Sequence, residues 1–579
     1  MSFDAGYARS VSVGFLRSRW LRAGIAVLAG VLTGLAWQPY GFWWLLIVGP
    51  VAFTLLVRGS TKRPRDSAGP TTIAAPRRRA FALGYLYGLG LLGVSINWVY
   101  VLGIWVAVLL IAFEALFFGL LGLTLYLTSP LRWWPLAAAL CWSLMEFTYA
   151  RVPFGGFGWV RLAYAVVDTP LAGFLPLIGV AGVSFLVALL TQLIAYAVTM
   201  VANHRSSPRR AGRKLLPYGV GVVALILLGV ALPWVPLSTS QSPATMQVGI
   251  VQGNVPGKGI EALGRMRSVT NNHLSETINL MVRARLGLVP MPDFILWPEN
   301  STDIDPRADP VTERTVQAAA TIADRPILVG AVMDGPGPDE RQTAALWWDP
   351  RAGVMDRYNK QNLVPFGEWI PFRNELLPLV PILAKVGAQS VPGTTPGVLK
   401  VAVDGQPVKV GVIICFELAY DSTVYATVAN GAQLLTVQSN NATYGGTGQI
   451  DQQFAITRAR AMETRREIAV ATTNSVSGFI DRDGTIVHRT DEFTASSMVV
   501  PMPLRSGVTP AVVVAPWLDR GLALAAVLAC FLGLLTQLGL SVQARRARLD
   551  EATIPVRQDE RAATDERAAT VVDPEAVRK

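Results

Sequence analysis

Three cysteines and three histidines in 579 residues leave several common site chemistries without parts. Cys141, Cys415 and Cys530 lie far apart, so the chain carries neither a disulfide framework nor a metal-ligand spacing. No metal and no cofactor is expected. His204, His273 and His488 have no local signature of a catalytic base. Charge is sparse as well. Asp, Glu, Lys and Arg supply 16% of the residues against 51% hydrophobic, a balance too apolar for an ordinary soluble protein. The formal net charge is +11, but the basic residues collect in loops between apolar runs, so nucleic acid is not the expected partner.

What the chain has in quantity is long apolar sequence. Seven stretches fall near 22–37, 41–57, 80–99, 102–127, 133–149, 172–201 and 215–235, and an eighth follows at 516–542. Most reach the length needed to cross about 30 Å of hydrocarbon. A signal peptide is the rival reading of the first, but no small-residue cleavage site follows it. Lys and Arg mark one side: Arg9, Arg17, Arg19 and Arg22 at the start, Arg58 to Arg79 in the second loop, Arg132 in the fourth, and Arg205 to Lys214 in the sixth. By the positive-inside rule these segments face the cytoplasm. Residues 237–515 then lie on the outer side. The expected organisation is a cytoplasmic tail (1–20), a membrane domain with seven spans (21–236), an extracytoplasmic domain (237–515), an eighth span (516–542) and a polar, disordered cytoplasmic tail (543–579). Glu146, near the end of the fifth span, is costly in lipid and is expected to pair with Arg151.

The outer domain alternates strand-like runs such as "DFILWPEN", "VKVGVIIC" and "AQLLTVQSN" with helical patterns at 309–323, 419–430 and 447–466. Such alternation implies a sheet covered by helices, with chemistry beyond the carboxyl ends of strands. Three polar residues occupy such ends: Glu299, Lys360 and Cys415. A thiol needs a base and a cation to act as a nucleophile, and with histidine scarce a carboxylate is the better base. Each residue also has a plain structural reading, since a buried cysteine packs, an acid after a strand caps a helix, and a lysine in a turn is solvated.

The motifs in combination are more specific. "WPEN" (297–300), "YNKQNLVPFGEW" (358–369) and "CFE" (415–417) resemble, in order and spacing, the Glu–Lys–Cys set of the nitrilase superfamily. Together with the apolar spans, "SNNATYG" (439–445), "RARAME" (458–463) and "VPFGGFGW" (152–159), they resemble the membrane branch of that superfamily, the bacterial apolipoprotein N-acyltransferases. The resemblance implies an eight-span α-helical membrane domain joined to an extracytoplasmic nitrilase-like αββα sandwich, in the cytoplasmic (inner) membrane. It further implies acyl transfer from the sn-1 position of a phospholipid, through a Cys415 thioester, to the α-amino group of a diacylglyceryl-cysteine apolipoprotein. Carried over by motif, Cys415 is the nucleophile, Glu299 the general base and Lys360 the oxyanion-side cation. Glu368 and Glu417 support them, and the Phe416 N–H is an oxyanion donor. Trp98, Trp159, Trp369, Asn440 and Tyr444 are candidate lipid-binding residues, the two span-end tryptophans reading first as interfacial belt residues and second as pocket lining. The segment "WIPFRNELLPLVPILAKVG" (369–387) reads as an apolar arm that enters the acyl region. Some relatives are coupled to a polyprenol-phosphate-mannose synthase, which makes such an enzyme a suggested partner. The chain departs from the family at Phe416 and Trp369 (commonly Tyr), Asn441 (Asp), Thr443 (Trp) and Gly158 (Pro).

Two other functions compete. A membrane-anchored amidase would share Glu299, Lys360 and Cys415 but would need one span and no acyl pocket. A transporter would show repeats and ionisable groups within spans, where this chain has Glu114 and Glu146 and no repeat.

Overall fold

The computed structural model describes residues 18–59, 74–204, 208–235, 239–255 and 267–568. Arg9, Arg17, Lys62, Arg63, Arg65 and Arg205, used above for orientation, lie outside them, as does the chain beyond 568.

Helices occupy every expected apolar stretch: α1 (Arg19–Gly34), α2 (Leu45–Gly59), α3 (Ala74–Ser95), α4 (Ile104–Thr128), α5 (Trp134–Tyr149), α6 (Leu175–Asn203) and α7 (Pro208–Ala231). By length and composition, four stretches among the described residues could cross a membrane: Ile104–Thr128, Pro170–Asn203, Ala211–Trp234 and Pro510–Leu540. The other expected spans fall short for definite reasons. At 1.5 Å per residue the 16, 15 and 16 residues of α1, α2 and α5 reach only about 24 Å. α3 carries Arg77, Arg78 and Arg79 in its first turns. The helices nonetheless pack closely. Gly84 of α3 and Gly122 of α4 meet where a Cβ would lie 2.1 and 2.3 Å from the facing backbone, the close approach that small residues allow.

The second half is a two-sheet sandwich. One sheet has the order β13-β1-β2-β3-β4-β5, built from β1 (Ser240–Gln252), β2 (Phe294–Leu296), β3 (Ile327–Asp334), β4 (Glu340–Asp349), β5 (Gly353–Asn359) and β13 (Ser496–Ser506), with β6 (Gln389–Ser390) beside β4. The other runs β12-β11-β10-β9-β8-β7, from β7 (Val398–Val403), β8 (Gln406–Ile414), β9 (Leu434–Ser439), β10 (Ile468–Thr472), β11 (Gly478–Ile480) and β12 (Ile486–Arg489). Alternate residues of both sheets, including Val248, Ile250, Leu296, Leu328, Val410, Val412 and Ile414, form the core between them. α8 (Ser268–Arg285) and α9 (Pro310–Ala323) cover the outer face of the first sheet. α10 (Asp421–Ala429) and α11 (Gly448–Thr464) cover the second. The layers are αββα, as expected. The strand-like runs of the sequence do not include β5 to β7 or β11 to β13.

The core on the α10–α11 side does not stop at the domain edge. It continues through Phe416, Trp159, Tyr164 and Leu175 into the membrane helices. Polar groups fasten the same seam. Arg161 bonds Glu146 at 3.3 Å and Asp421 at 2.7 Å. Arg460 of α11 bonds Asp421 at 2.7 Å, Glu463 at 2.6 Å and the Tyr164 hydroxyl at 3.0 Å. Glu463 also accepts the Val180 N–H at 2.8 Å, where Gly179 (φ 66) breaks α6. The expected Glu146–Arg151 pair is therefore wrong. The chain after α5 folds back so that Arg161 lies under Glu146, whose other oxygen takes the Leu162 N–H at 2.8 Å, while Arg151 reaches Asp519 at 2.6 Å.

The last helix, α12, runs from Pro510 to Ala568. Its polar end was expected to be disordered. The backbone is instead helical to Ala568, through Pro555.

Removing one partner of this buried network strands the others, at a cost of about 3–5 kcal/mol. Arg460→Met should therefore lower the thermal midpoint of the detergent-solubilised protein by several degrees, more than Arg489→Met on the surface. Equal midpoints would show that the network is not under load.

Candidate active site

Strand ends bring the three predicted residues together. β8 delivers Cys415 at its carboxyl end with φ +53, a left-handed backbone that a non-glycine residue holds only where its surroundings enforce it. That turn aims the side chain off the sheet edge. Glu299 follows β2 and Lys360 follows β5. The Lys360 ammonium, on a side chain 1% exposed, donates to Glu299 at 2.9 Å and to Glu368 at 3.0 Å. The second Glu299 oxygen accepts the Asn440 N–H at 2.8 Å. The Cys415 thiol points its S–H at the Asn441 side-chain amide oxygen, Oδ1, at 3.9 Å.

Burial works against the Lys360 charge, but Glu299 and Glu368 outweigh it and hold its pKa well above the ordinary lysine value. Burial lifts the Glu299 carboxyl, with Lys360 opposing. Burial and then the Glu299 charge push the Cys415 thiol up, again opposed by Lys360. The resting sulfur is thus a thiol beside a carboxylate that can take its proton. His273 is buried against Trp297 and pushed down to about 4 by that burial, a neutral packing residue.

The supporting acids have different tasks. Glu368 accepts from Lys360 and from the Val364 N–H at 2.7 Å, folding the "LVPFGE" loop back on the ammonium. Glu417 is fully buried and bonds Tyr358 O–H at 2.7 Å, Gln361 N–H at 2.7 Å and Ile414 N–H at 2.8 Å. It ties the segments flanking Lys360 to the turn holding Cys415. Burial raises the pKa of its carboxyl.

The five candidate lipid contacts divide. Trp98 and Trp159 are buried and both donate to the Gln452 side-chain oxygen at 2.9 Å, so they form the domain seam rather than an exposed belt. Gln452, which no sequence signal marked, in turn donates to the Gln38 and Ser95 carbonyls at 2.8 and 2.6 Å. Asn440 serves Glu299 through its backbone. Tyr444 stands edge-on to Trp98 at 5.3 Å, and burial and the nearby Cys415 raise the pKa of its hydroxyl. Trp369 packs against Phe154 at 5.9 Å, as does Phe372, from the arm. Phe416 stacks on Trp159 and Phe157 at 5.9 and 6.0 Å, a contact the Tyr-to-Phe departure leaves intact.

Residues 29–193 match the family model of the apolipoprotein N-acyltransferase N-terminal domain, and residues 248–506 that of carbon-nitrogen hydrolases. An apolipoprotein N-acyltransferase of Mycolicibacterium smegmatis is 34% identical over 523 residues, covering 88% of this chain and 84% of that protein. The chain belongs to the apolipoprotein N-acyltransferase family. A member from Vibrio cholerae is 26% identical, covering 86% of this chain and 94% of its own. An amidase from Nesterenkonia sp. is 16% identical, covering 48% of this chain and 95% of that one, with a TM-score of 0.35. Family membership together with the four long apolar helices makes this a membrane protein.

Because Glu417 joins both sides of the site, Glu417→Gln should lower kcat about 100-fold, as expected of a small misplacement of reacting groups. KM for the acyl donor should change little, and Tyr358→Phe should show a milder loss. Steady-state kinetics on both variants, with circular dichroism to confirm folding, reads this out. An unchanged kcat would remove Glu417 from the positioning role.

Proposed function

We propose that the chain N-acylates apolipoproteins by a two-step transfer through a Cys415 thioester. The observation that carries this reading is the Lys360 ammonium lodged between Glu299 and Glu368 beside the Cys415 turn. In the first step Glu299 takes the thiol proton as sulfur attacks the sn-1 ester carbonyl of a phospholipid. The Lys360 ammonium and the Phe416 N–H face the developing oxyanion, and one such donor is worth about 10²–10³ in rate. The alkoxide recovers the proton from Glu299 and leaves as lysophospholipid. In the second step the α-amine of a diacylglyceryl-cysteine attacks the thioester, Glu299 accepts its proton, and the thiol is released. The acceptor is the lipidated N-terminus of an apolipoprotein.

Several features support a site open to lipid, and the distribution of Lys and Arg supports its lying on the outer side of the inner membrane. The arm exposes Phe372 and Leu379 beside the exposed Phe366 of the preceding loop, and Phe154 from the membrane half packs against Phe366 and Phe372. A large exposed apolar patch of this kind suits a bilayer surface. The Trp159–Phe157–Phe416 stack beside Cys415 excludes water, which protects a thioester from hydrolysis. An amidase of small amides would need neither feature.

Intact mass spectrometry of protein incubated with phospholipid should show one added acyl chain, labile to hydroxylamine and absent from Cys415→Ala. A hydroxylamine-labile adduct persisting in that variant would overturn the assignment.

The pH dependence has a defined sign. Glu299 works as a base only when ionised, and its pKa is raised, so Cys415 acylation is lost as pH falls through that raised value. Lys360→Met removes the cation that opposes burial and should move this acid limb to higher pH. A wild-type limb in kcat/KM at or below the ordinary glutamate value of about 4.3 would show that burial does not raise the group controlling acylation, and a limb unmoved by Lys360→Met would exclude Glu299 as that group.

A further inference from the structure

Next to the Glu–Lys–Cys site lies a cavity of about 290 Å³ that the reaction as described does not use. Its lining includes Arg151, Arg161, Tyr420, Asp421, Asp519 and Arg520. Tyr420 is the shared wall: its ring stands edge-on to Phe416 at 5.4 Å, and its hydroxyl feels the charges of Lys360 and Glu368. The other side is closed by the glycine turn after α5, where Gly155 (φ +97) approaches so closely that a Cβ would lie 3.0 Å from the Tyr420 oxygen.

The charges in this cavity are not symmetrical. Asp421 is held by Arg161 and Arg460, and Asp519 by Arg151. Arg520 has no carboxylate partner among the described residues. It lies over the exposed Trp517 ring at 5.3 Å. Arg151 keeps 42% of its side chain exposed. Three guanidinium groups and two carboxylates thus line the cavity, and with Arg161 and Arg151 already paired the excess positive charge falls on Arg520 and the exposed side of Arg151, an arrangement suited to an anion with oxygens to share.

Height in the membrane narrows the choice of anion. No charged residue occurs between Arg520 and Arg545, and 20 residues of helix span about 30 Å. Arg520 is thus the last charge before the hydrocarbon, with Trp517 one turn above it, at the level of lipid phosphates. In a phospholipid the phosphate and the sn-1 ester are joined by a single glycerol unit, and here the cavity and Cys415 are separated by Phe416 and Tyr420.

We propose that this cavity binds a phosphate group, with Arg520 and Arg151 as its contacts, and that the group is the phosphodiester of the acyl donor. The proposal rests on the acyl-transfer reading above and adds a site to it. Bound there, the phosphate fixes the glycerol so that the sn-1 ester is presented to the sulfur, and it returns with the lysophospholipid when that product leaves.

The test compares two acyl donors on the full-length protein in mixed micelles, a diacyl phospholipid and a p-nitrophenyl fatty ester that has no phosphate. Acylation of Cys415 is followed by intact mass. Arg520→Ala should lower the ratio of kcat/KM for phospholipid over p-nitrophenyl ester about tenfold or more, the size of one lost charge-assisted contact. Arg520→Lys should restore most of it. An unchanged ratio with inorganic phosphate inhibiting wild type but not Arg520→Ala would assign the site to soluble phosphate and overturn the donor assignment. An unchanged ratio with no effect of phosphate would overturn the site altogether. Absence of any adduct in wild type with either ester would instead strike at the Cys415 thioester.

Discussion

A lysine ammonium removed from water is tolerable only if anions replace the solvent, and Lys360 meets that condition with two carboxylates at hydrogen-bond distance. The arrangement constrains its partners in turn. Glu299 and Glu368 could not sit so close together without the cation, and Glu299 could not remain a usable base while buried. Burial and the Glu299 charge hold the Cys415 thiol in its protonated form beside them. Stability and chemistry here rest on the same three charges.

Holding those charges in place takes contacts from both halves of the molecule. Glu417 ties the Cys415 turn to the backbone after Tyr358, and Glu368 returns its loop to Lys360. Behind them α11 carries Gln452, Arg460 and Glu463 into the ends and breaks of the membrane helices. Because one apolar core crosses the seam, the sandwich is not an independent enzyme tethered to a membrane anchor. The aromatic cluster of Trp98, Trp159 and Phe416 draws on both halves.

Beyond that cluster the structure is open and unevenly charged. Phe372 of the arm meets Phe154, and the cavity lined by arginines and Tyr420 begins at the adjoining Gly155. A lipid substrate has both kinds of group, acyl chain and phosphate, joined through the ester that reacts. The surroundings of Cys415 offer a separate environment for each.

The sequence by itself determined most of the local elements and pointed to the residues of the candidate site. Alternating apolar residues specify a strand's inner and outer face, long apolar runs specify helices, and "WPEN", "YNKQNLVPFGEW" and "CFE" put an acid, a lysine and a cysteine at strand ends, where their likeness to the family's motifs marks them as one candidate set. Only the tertiary structure decided which charges meet. Glu146 pairs with Arg161 rather than Arg151, Trp98 and Trp159 turn inward to Gln452, and Asp421 lies between two arginines from distant segments. The physical reason is range. Strand and helix patterns depend on neighbours a few residues away, whereas a buried ion pair depends on how the chain returns upon itself, and hydrophobic periodicity carries no record of that path.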